Sequence, residues 1–321
     1  MDKIPVGRTI AEAYGFAFGR FPGNLGVVWL PAALLMAAVW YVIPTYATSW
    51  IAMIPEMGSK PDPAAILNSM QQVYRAFILL WIALILLRAE MMLGLTRRAL
   101  GMRNALSFVF LSIGKPFWRL SGAYFAVMII LWTAETVLVI GLIVVAFVAG
   151  GIGAILAAGD KDAIAVLIGV IGGVAGIGLF CALFYIAVRL TFLLTPLIVA
   201  EERFDLIRPW RLAGGNFWRI FAIGVAVFVP LMLLIAIVSV PVYIVALLPF
   251  PHLALSSQDP TAAAQNIQIF FAALLANMRA HWYLVVPLSL ASSALIYGAA
   301  AGAAASAYRA LVPQTEPPAV V

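Results

Sequence analysis

The chain has 321 residues, of which 65% are hydrophobic and only 10% charged, and its mean hydropathy is +1.08. Apolar runs longer than the thickness of a bilayer exclude a soluble globular protein and predict an all-α polytopic membrane protein. The net charge of +6 belongs to no soluble basic domain, which excludes nucleic acid as a partner.

The N-terminal stretch MDKIPVGRTIAEAYGFAFGRF lacks the short apolar core and the small-residue cleavage site of a secretory signal. We therefore expect that no segment is removed. Within this stretch, TIAEAYGFAFG mixes apolar and aromatic residues with isolated polar ones and is too short to cross a bilayer. It predicts a helix lying in the membrane interface. The glycines of GRFPGNLG, residues 19–26, then allow the chain to turn into the first apolar run.

Apolar runs at Leu25–Tyr46 and Val73–Leu95 predict the first helical hairpin, since each exceeds the about 20 residues that cross hydrocarbon as a helix. The loop between them, residues 47–72, contains SKPDP and predicts irregular structure. Arg88 and Glu90 lie in the second run. We expect Arg88 either to form a buried pair or to extend its guanidinium to the membrane boundary, and Glu90 to satisfy a group on a neighbouring helix.

The second hairpin follows the same order of elements. NALSFVFLSIG predicts an interfacial helix, and SIGKPFWRL, residues 112–120, predicts a second turn into the membrane. Runs at Ser121–Gly150 and Ile164–Leu190 predict the two spans. Glu135 lies in the middle of the first of these runs, where it predicts either a proton or ion relay or, preferably, a buried polar contact that fixes helix packing.

Arg189 occupies, near the end of the fourth run, a place that corresponds to Arg88 in the second. Pro196 is expected to end the fourth span early enough for Arg189 to reach the membrane interface. A buried pair is the alternative for Arg189.

The third hairpin begins with FDLIRPWRLAG, another predicted interfacial helix, and GGNFWRIF, residues 214–221. In this elbow the glycine pair permits the turn, and Asn216 is expected to cap the new helix. Runs at Trp218–Leu248 and Trp282–Tyr308 predict the last two spans, and residues 312–321 predict a short disordered tail.

Gly23, Gly114 and Gly215 mark the three elbows and predict three parallel hairpin repeats, residues 8–100, 101–203 and 204–311, in a single membrane domain comprising residues 1–321. Most of the 19 Lys and Arg residues fall on one predicted side. By the positive-inside rule this distribution places both termini in the cytoplasm and the protein in the bacterial inner (plasma) membrane.

Basic and aromatic residues cluster at the second and third elbows. They predict contact with the membrane interface, either as simple anchors, which we favour, or as a rim that binds anionic lipid. The candidates are Lys115, Trp118, Arg119, Arg208, Trp210, Arg211, Trp218 and Arg219.

Small residues recur at four-residue spacing in GVIGGVAGIG, residues 169–178, and in GAAAGAAASA, residues 298–307. Such faces favour close helix contacts, within the bundle or with a second copy of the chain, and we expect internal packing for both. The partners predicted are therefore the lipid bilayer, including its anionic lipids, and either a second copy or another membrane protein.

No catalytic, cofactor-binding or metal-binding motif is evident in the sequence. His252, Asp259 and His281 are spaced too loosely to specify a metal site, and solvated loop positions are the favoured interpretation. The single cysteine, Cys181, excludes an internal disulfide.

The stretch VRLTFLLTPLIVAEERFDLIRPWRLAGGNFWRIF, residues 188–221, resembles the membrane domain attached to some bacterial glycerophosphodiester phosphodiesterases and to related uncharacterised six-helix membrane proteins. Arg189, Pro196, Glu201 and RPWRLAGGNFWR carry the resemblance. It implies a six-helix membrane bundle. In those enzymes the phosphodiesterase activity belongs to a separate soluble barrel, which these 321 residues lack, so the resemblance implies no enzymatic activity here.

Two function classes follow from these patterns. The first is a non-enzymatic structural or regulatory membrane module associated with lipids or partner proteins, which we favour. The alternative is a small secondary transporter, which requires several polar groups around a cavity near the middle of the membrane.

Overall fold

The computed structural model describes residues 3–58, 63–102, 110–156, 161–247 and 281–312, with scattered helical positions between 266 and 280. Over these ranges the chain is helical and contains no strand. The helices are α1 (Val6–Gly19), α2 (Phe21–Gly58), α3 (Pro63–Ala99), α4 (Lys115–Leu156), α5 (Lys161–Thr191), α6 (Leu194–Glu201), α7 (Ile207–Gly214), α8 (Phe217–Leu247) and α9 (Trp282–Leu311).

Six segments are long and apolar enough to cross a membrane, as the six apolar runs predict. The all-α fold class is confirmed, and the chain is a multi-pass integral membrane protein. The candidate spans are Phe21–Val42, Met70–Ala99, Lys115–Gly141, Gly172–Glu201, Phe217–Val242 and Trp282–Leu311.

The prediction of an irregular loop at residues 47–72 is wrong over most of its length. Helix α2 continues to Gly58, and α3 begins at Pro63. Helix α2 can continue because no glycine occurs in residues 47–57. Helix α3 can begin at Pro63 because the first N–H of a helix has no partner within the helix, so a proline there loses no hydrogen bond.

One end of the bundle gathers the N-terminal segment, the beginnings of α4 and α8, and the ends of α3, α6 and α9. Arginine contacts join several of these elements: Arg309 reaches the carbonyl of Ala99, Arg119 that of Glu202, and Arg219 that of Ile4. We call this the basic end. Because these elements meet there, the three hairpins are held together mainly at one end.

The buried core lies in the half of the spans nearest the basic end. It includes residues 89–95 of α3 and the inner faces of α4, α8 and α9 near that end. Farther along the helices, large apolar side chains such as Phe147, Ile177 and Ile237 are exposed. In a bilayer such side chains face lipid tails, which are as apolar as the helix surface, and their exposure carries no penalty.

The fourth span is interrupted. Helix α5 ends at Thr191 and α6 begins at Leu194, with a turn at Phe192–Leu193. Pro196 accounts for the break because it has no N–H to donate to the carbonyl of Phe192. We expected Pro196 to end the span, but the chain continues as α6, whose residues 194–199 are buried against α3, α4, α5 and α9.

Helices α1 and α7 form where the sequence predicts the first and third interfacial helices, and their position in the membrane interface stays a prediction. The second predicted helix, residues 104–114, lies partly outside the described residues. Residues 110–113 are not helical. Phe110 is buried against Gly94, and the N–H of Ser112 bonds to Glu90, so residues 110–113 lie along α3.

The two small-residue faces differ in what they contact. On α9, a Cβ at Gly302 would lie 3.1 Å from the Cα of Ala13, which confirms internal packing against α1. On α5, Gly172, Gly173 and Gly176 have nothing within 4 Å of such a Cβ. Among the described residues, internal packing is therefore the wrong prediction for these glycines of α5, because α5 contacts its neighbours through other residues.

Candidate functional site at the basic end

The N-terminal segment docks on the third elbow. The N–H of Ile4 donates to Oδ1 of Asn216 at 3.1 Å, and Nη1 of Arg219 donates to the Ile4 carbonyl at 2.9 Å. Ile4 and Asn216 are both buried. We expected Asn216 to cap α8, yet its side-chain oxygen holds a residue 212 positions away in the sequence. Arg219 likewise binds the protein's own backbone.

Arg189 joins α5 to α7. Its Nη1 donates to the hydroxyl of Tyr185 and its Nη2 to the carbonyl of Trp210, each at 2.7 Å, and Cζ lies 3.8 Å from the centroid of a Trp210 ring. A Cβ at Gly214 would lie 2.5 Å from Nη2, so the glycine leaves room for the guanidinium. Arg189 is therefore held between α5 and α7 and covered by Trp210, and its position relative to the membrane interface stays a prediction.

The beginning of α4 contacts the end of α6. Nη1 of Arg119, in the first turns of α4, donates to the carbonyl of Glu202, and the two side chains approach to 3.9 Å. Arg208 pairs with Glu201 at 2.8 Å. Glu202 takes a left-handed conformation at the end of α6, which turns the chain toward α7. These contacts hold the beginning of α4 against the end of α6 and join Glu201 to the first turn of α7.

Several basic side chains on this surface have no bond to the protein. Lys115, Arg203 and Arg211 are exposed, and no hydrogen bond or ion pair joins them to the described part of the chain. Trp118 and Trp218, with 58% and 75% of their surfaces exposed, lie at the starts of α4 and α8. We call Lys115, Trp118, Arg119, Arg203, Arg208, Arg211 and Trp218 the basic rim.

Of the eight residues predicted to contact the membrane interface, Trp210 and Arg219 contact Arg189 and Ile4. Arg119 and Arg208 are bonded to Glu202 and Glu201. Arg203 was missing from the predicted set. The run EER at residues 201–203 could have indicated Arg203. Glu201 and Glu202 pair with Arg208 and Arg119, so neither carboxylate is left to pair with Arg203.

A second charged cluster ties α1 to α9 and was not predicted as a site. Glu12 accepts from Arg8 at 2.8 Å and from Arg309 at 2.7 Å, while Arg309 also donates to the carbonyl of Ala99 at 2.9 Å. Burial alone would raise the pKa of Glu12, but the hydrogen bonds from Arg8 and Arg309 outweigh it and hold the pKa below its usual range. This cluster therefore joins α1 to α9, and Glu12 is not a candidate general acid.

Glu90 is buried and faces the segment before α4. Its Oε1 accepts the N–H of Ser112, and Nη1 of Arg97 donates to the Ser112 hydroxyl at 3.3 Å. We expected Glu90 to satisfy a group on a neighbouring helix. It instead satisfies the backbone of the connecting segment, which it holds against α3.

Glu135 is exposed on α4, so the prediction that it is buried against neighbouring helices is wrong for the described part of the chain. Helix α4 has 42 residues, and Glu135 follows Arg119 by 16 positions, about 24 Å along the helix axis. Glu135 therefore lies beyond the packed core near the basic end, where other α4 side chains such as Ile140 are exposed as well.

Arg88 of α3 is exposed, with Cζ 5.3 Å from the ring centroid of Tyr124 in α4. No carboxylate pairs with Arg88 among the residues that the structure describes, so the predicted buried ion pair is absent there. Unlike Arg189, Arg88 leaves its charge without a partner carboxylate or carbonyl.

Metal ligands do not cluster in the described ranges, where no group of three or more His, Cys, Asp or Glu residues converges. His252 and Asp259 lie outside the described residues. Nδ1 of His281 is 2.9 Å from the carbonyl of Asn277, a contact typical of a helix end.

Comparison with known proteins finds no family model, no curated protein and no solved structure that matches the chain. The resemblance to the phosphodiesterase-associated membrane domain thus stays a prediction that rests on residues 188–221. In the structure, Arg189 and Pro196 of this stretch shape the junction of α5, α6 and α7.

Proposed function

We propose that this integral membrane protein is a non-enzymatic structural or regulatory module that binds anionic lipid at its basic rim. The observation that supports the proposal most directly is a set of exposed cations around the contact of Arg119 with Glu202. Lys115, Arg203 and Arg211 have no partner in the described chain, and exposed tryptophans flank them. Tryptophan at headgroup depth and cations beside phosphate are the usual means by which a protein holds an anionic membrane surface.

The buried polar groups support a module over an enzyme. Glu90, Arg189 and Asn216 are each engaged in contacts that join segments of the same chain. We propose further that the basic end faces the cytoplasm of a bacterial cell, with both termini on that side, since basic residues are retained there and the inner leaflet surface is negative.

Neutralising the free cations of the rim should weaken lipid retention. At about 1 kcal/mol per well-placed basic residue, the Lys115→Gln, Arg203→Gln, Arg211→Gln variant should lose at least about tenfold in affinity for phosphatidylglycerol, measured by native mass spectrometry in neutral detergent. The matched control, Arg75→Gln, Lys161→Gln, Arg279→Gln, removes the same charge from the opposite end. Equal losses in the two variants, or none in either, would contradict binding at the rim.

The orientation can be tested by cysteine labelling of spheroplasts. Cys181 is exposed and is first replaced by serine. An impermeant maleimide should then label Gly58→Cys in intact spheroplasts and should label Arg203→Cys only after permeabilisation, because these positions lie at opposite ends of the bundle. Labelling of Arg203→Cys before permeabilisation would reverse the proposed topology.

A small secondary transporter is the second candidate, and the interrupted fourth span favours it. Broken helices near the middle of the membrane form the substrate sites of many transporters, and α6 packs among spans of all three hairpins. Thr195 of α6 is buried. Labelling of Thr195→Cys by a water-soluble reagent, from each side of the membrane under different conditions, would favour the transporter, whereas protection from both sides would favour the module.

A further inference from the structure

Arg88 of α3 lies beside Tyr124 of α4, with its Cζ 5.3 Å from the ring centroid. The residues that follow it, Ala89 to Thr96, are all buried in the core. Arg88 itself is exposed. The guanidinium therefore lies at the edge of the packed core, on the side away from the basic end.

The direction of the side chain keeps its charge within the membrane. Arg88 precedes Ala99, the last residue of α3, by 11 positions, which is about 16 Å along the axis. Side chains on a helix tilt toward its N-terminus, and the N-terminus of α3 is at the opposite end of the bundle. The guanidinium is thus directed away from the nearer boundary, which opposes snorkelling to the basic end.

The groups around Arg88 leave its charge uncompensated. The Tyr124 ring offers a cation–π contact at 5.3 Å, and the Tyr124 hydroxyl is 2.8 Å from Oγ1 of Thr195 in α6. Glu90, the carboxylate nearest in sequence, faces Ser112. A guanidinium at this depth without a counter-charge is costly, and intramembrane arginines mark binding sites or pathways for anions.

We propose that Arg88, with Tyr124 beside it, binds an oxyanion, a phosphate or carboxylate group, within the membrane-spanning bundle. Guanidinium presents two parallel N–H donors that match the oxygens of such a group. The exposed guanidinium is accessible to the ligand, which is either the headgroup of a lipid or a small anion from solution. This site is separate from the basic rim and does not depend on the function proposed for it.

The test uses the full chain in neutral detergent, with Lys115, Arg203 and Arg211 already changed to glutamine to remove binding at the rim. Three probes are titrated and followed by native mass spectrometry and thermal shift: short-chain phosphatidylglycerol, phosphatidylcholine of equal chain length, and inorganic phosphate. We expect one of the two anionic probes to bind, and Arg88→Gln to weaken that binding about tenfold, as for the loss of one charge-assisted contact. Arg75→Gln, an exposed arginine of the same helix, should leave the binding unchanged.

The two sources of the oxyanion are distinguished by the probe that responds. Binding of phosphatidylglycerol without phosphate identifies a lipid headgroup, and binding of inorganic phosphate identifies a free anion. If neither anionic probe binds, if phosphatidylcholine binds as well as phosphatidylglycerol, or if Arg88→Gln binds both anionic probes as tightly as its parent, the site does not exist.

If Arg88→Gln does not fold, the same binding test is made with Arg88→Lys. Lysine keeps the charge but loses the two-pronged donor geometry, so a folded Arg88→Lys protein should bind the same probe several-fold more weakly. Unchanged affinity in that variant would overturn the proposal.

Discussion

Gly94→Ala is expected to lower the thermal unfolding temperature of the purified protein by several degrees. A Cβ at this position would lie 2.5 Å from Cγ1 of Val27 and 2.8 Å from the Phe110 ring. Both neighbours are buried and have no room to withdraw. Overpacking of this kind costs about 1–3 kcal/mol. Unfolding in detergent, followed by intrinsic fluorescence or by loss of monodisperse protein, measures the effect.

Gly176→Ala is the matched control, because it makes the same substitution in another apolar span where nothing lies within 4 Å of the new methyl group. Alanine is the better helix former by up to about 1 kcal/mol, so this variant should be as stable as the parent or slightly more stable. A loss for Gly176→Ala as large as for Gly94→Ala would mean that the α5 face is covered, and would contradict the packing described above.

Arg189→Gln should be more costly still, with a loss of about 3 kcal/mol. Glutamine is too short to keep the bonds to the Tyr185 hydroxyl and the Trp210 carbonyl, and hydrogen bonds from charged donors contribute about 1.5–3 kcal/mol each. The cation–π contact with Trp210 is lost as well. Thermal unfolding in detergent, together with limited proteolysis at residues 202–206, reports the release of α7 from α5.

Arg203→Gln is the control for this experiment, since Arg203 is exposed and its charge is equal to that of Arg189. It should leave stability unchanged. A cycle with Tyr185→Phe isolates the hydroxyl contact, and strict additivity of the two changes would show that Arg189 and Tyr185 do not interact. Because α7 carries Arg208 and Arg211, folded Arg189→Gln protein should also retain less anionic lipid.

The resemblance at residues 188–221 and the contacts around Arg189 concern the same part of the chain. Glu201, which carries part of the resemblance, pairs with Arg208, and α7 lies over Arg189 through Trp210. The stretch RPWRLAGGNFWR therefore contains the helix that covers Arg189, the glycine that leaves it room and the elbow that receives the N-terminal segment. A sequence motif of this kind can specify a contact between helices as well as a binding site.

The spans and elbows were predictable because they depend on local chemistry. A bilayer requires about 20 apolar residues and internally satisfied backbone groups, and only a helix provides both, whatever its neighbours are. Glycine at the third elbow is likewise needed for the room that it leaves, as Gly214 does for Arg189. The basic rim was partly predictable for the same reason, since cations and tryptophan concentrate at membrane boundaries.

The partners of the polar and small residues required the tertiary structure. The glycines of α5 and α9 have the same spacing. Gly302 nevertheless packs against α1, while a Cβ at Gly176 would contact nothing in the described chain. Arg88 and Arg189 occupy corresponding positions and each lies against an aromatic ring of another helix, but in the described chain only Arg189 also donates to a carbonyl of that helix. Hydropathy fixes which segments enter the membrane, because lipid acts on each helix separately. It leaves undetermined which face of each helix meets a neighbour, since lipid tails and apolar helix surfaces are nearly equivalent surroundings and only packing distinguishes them.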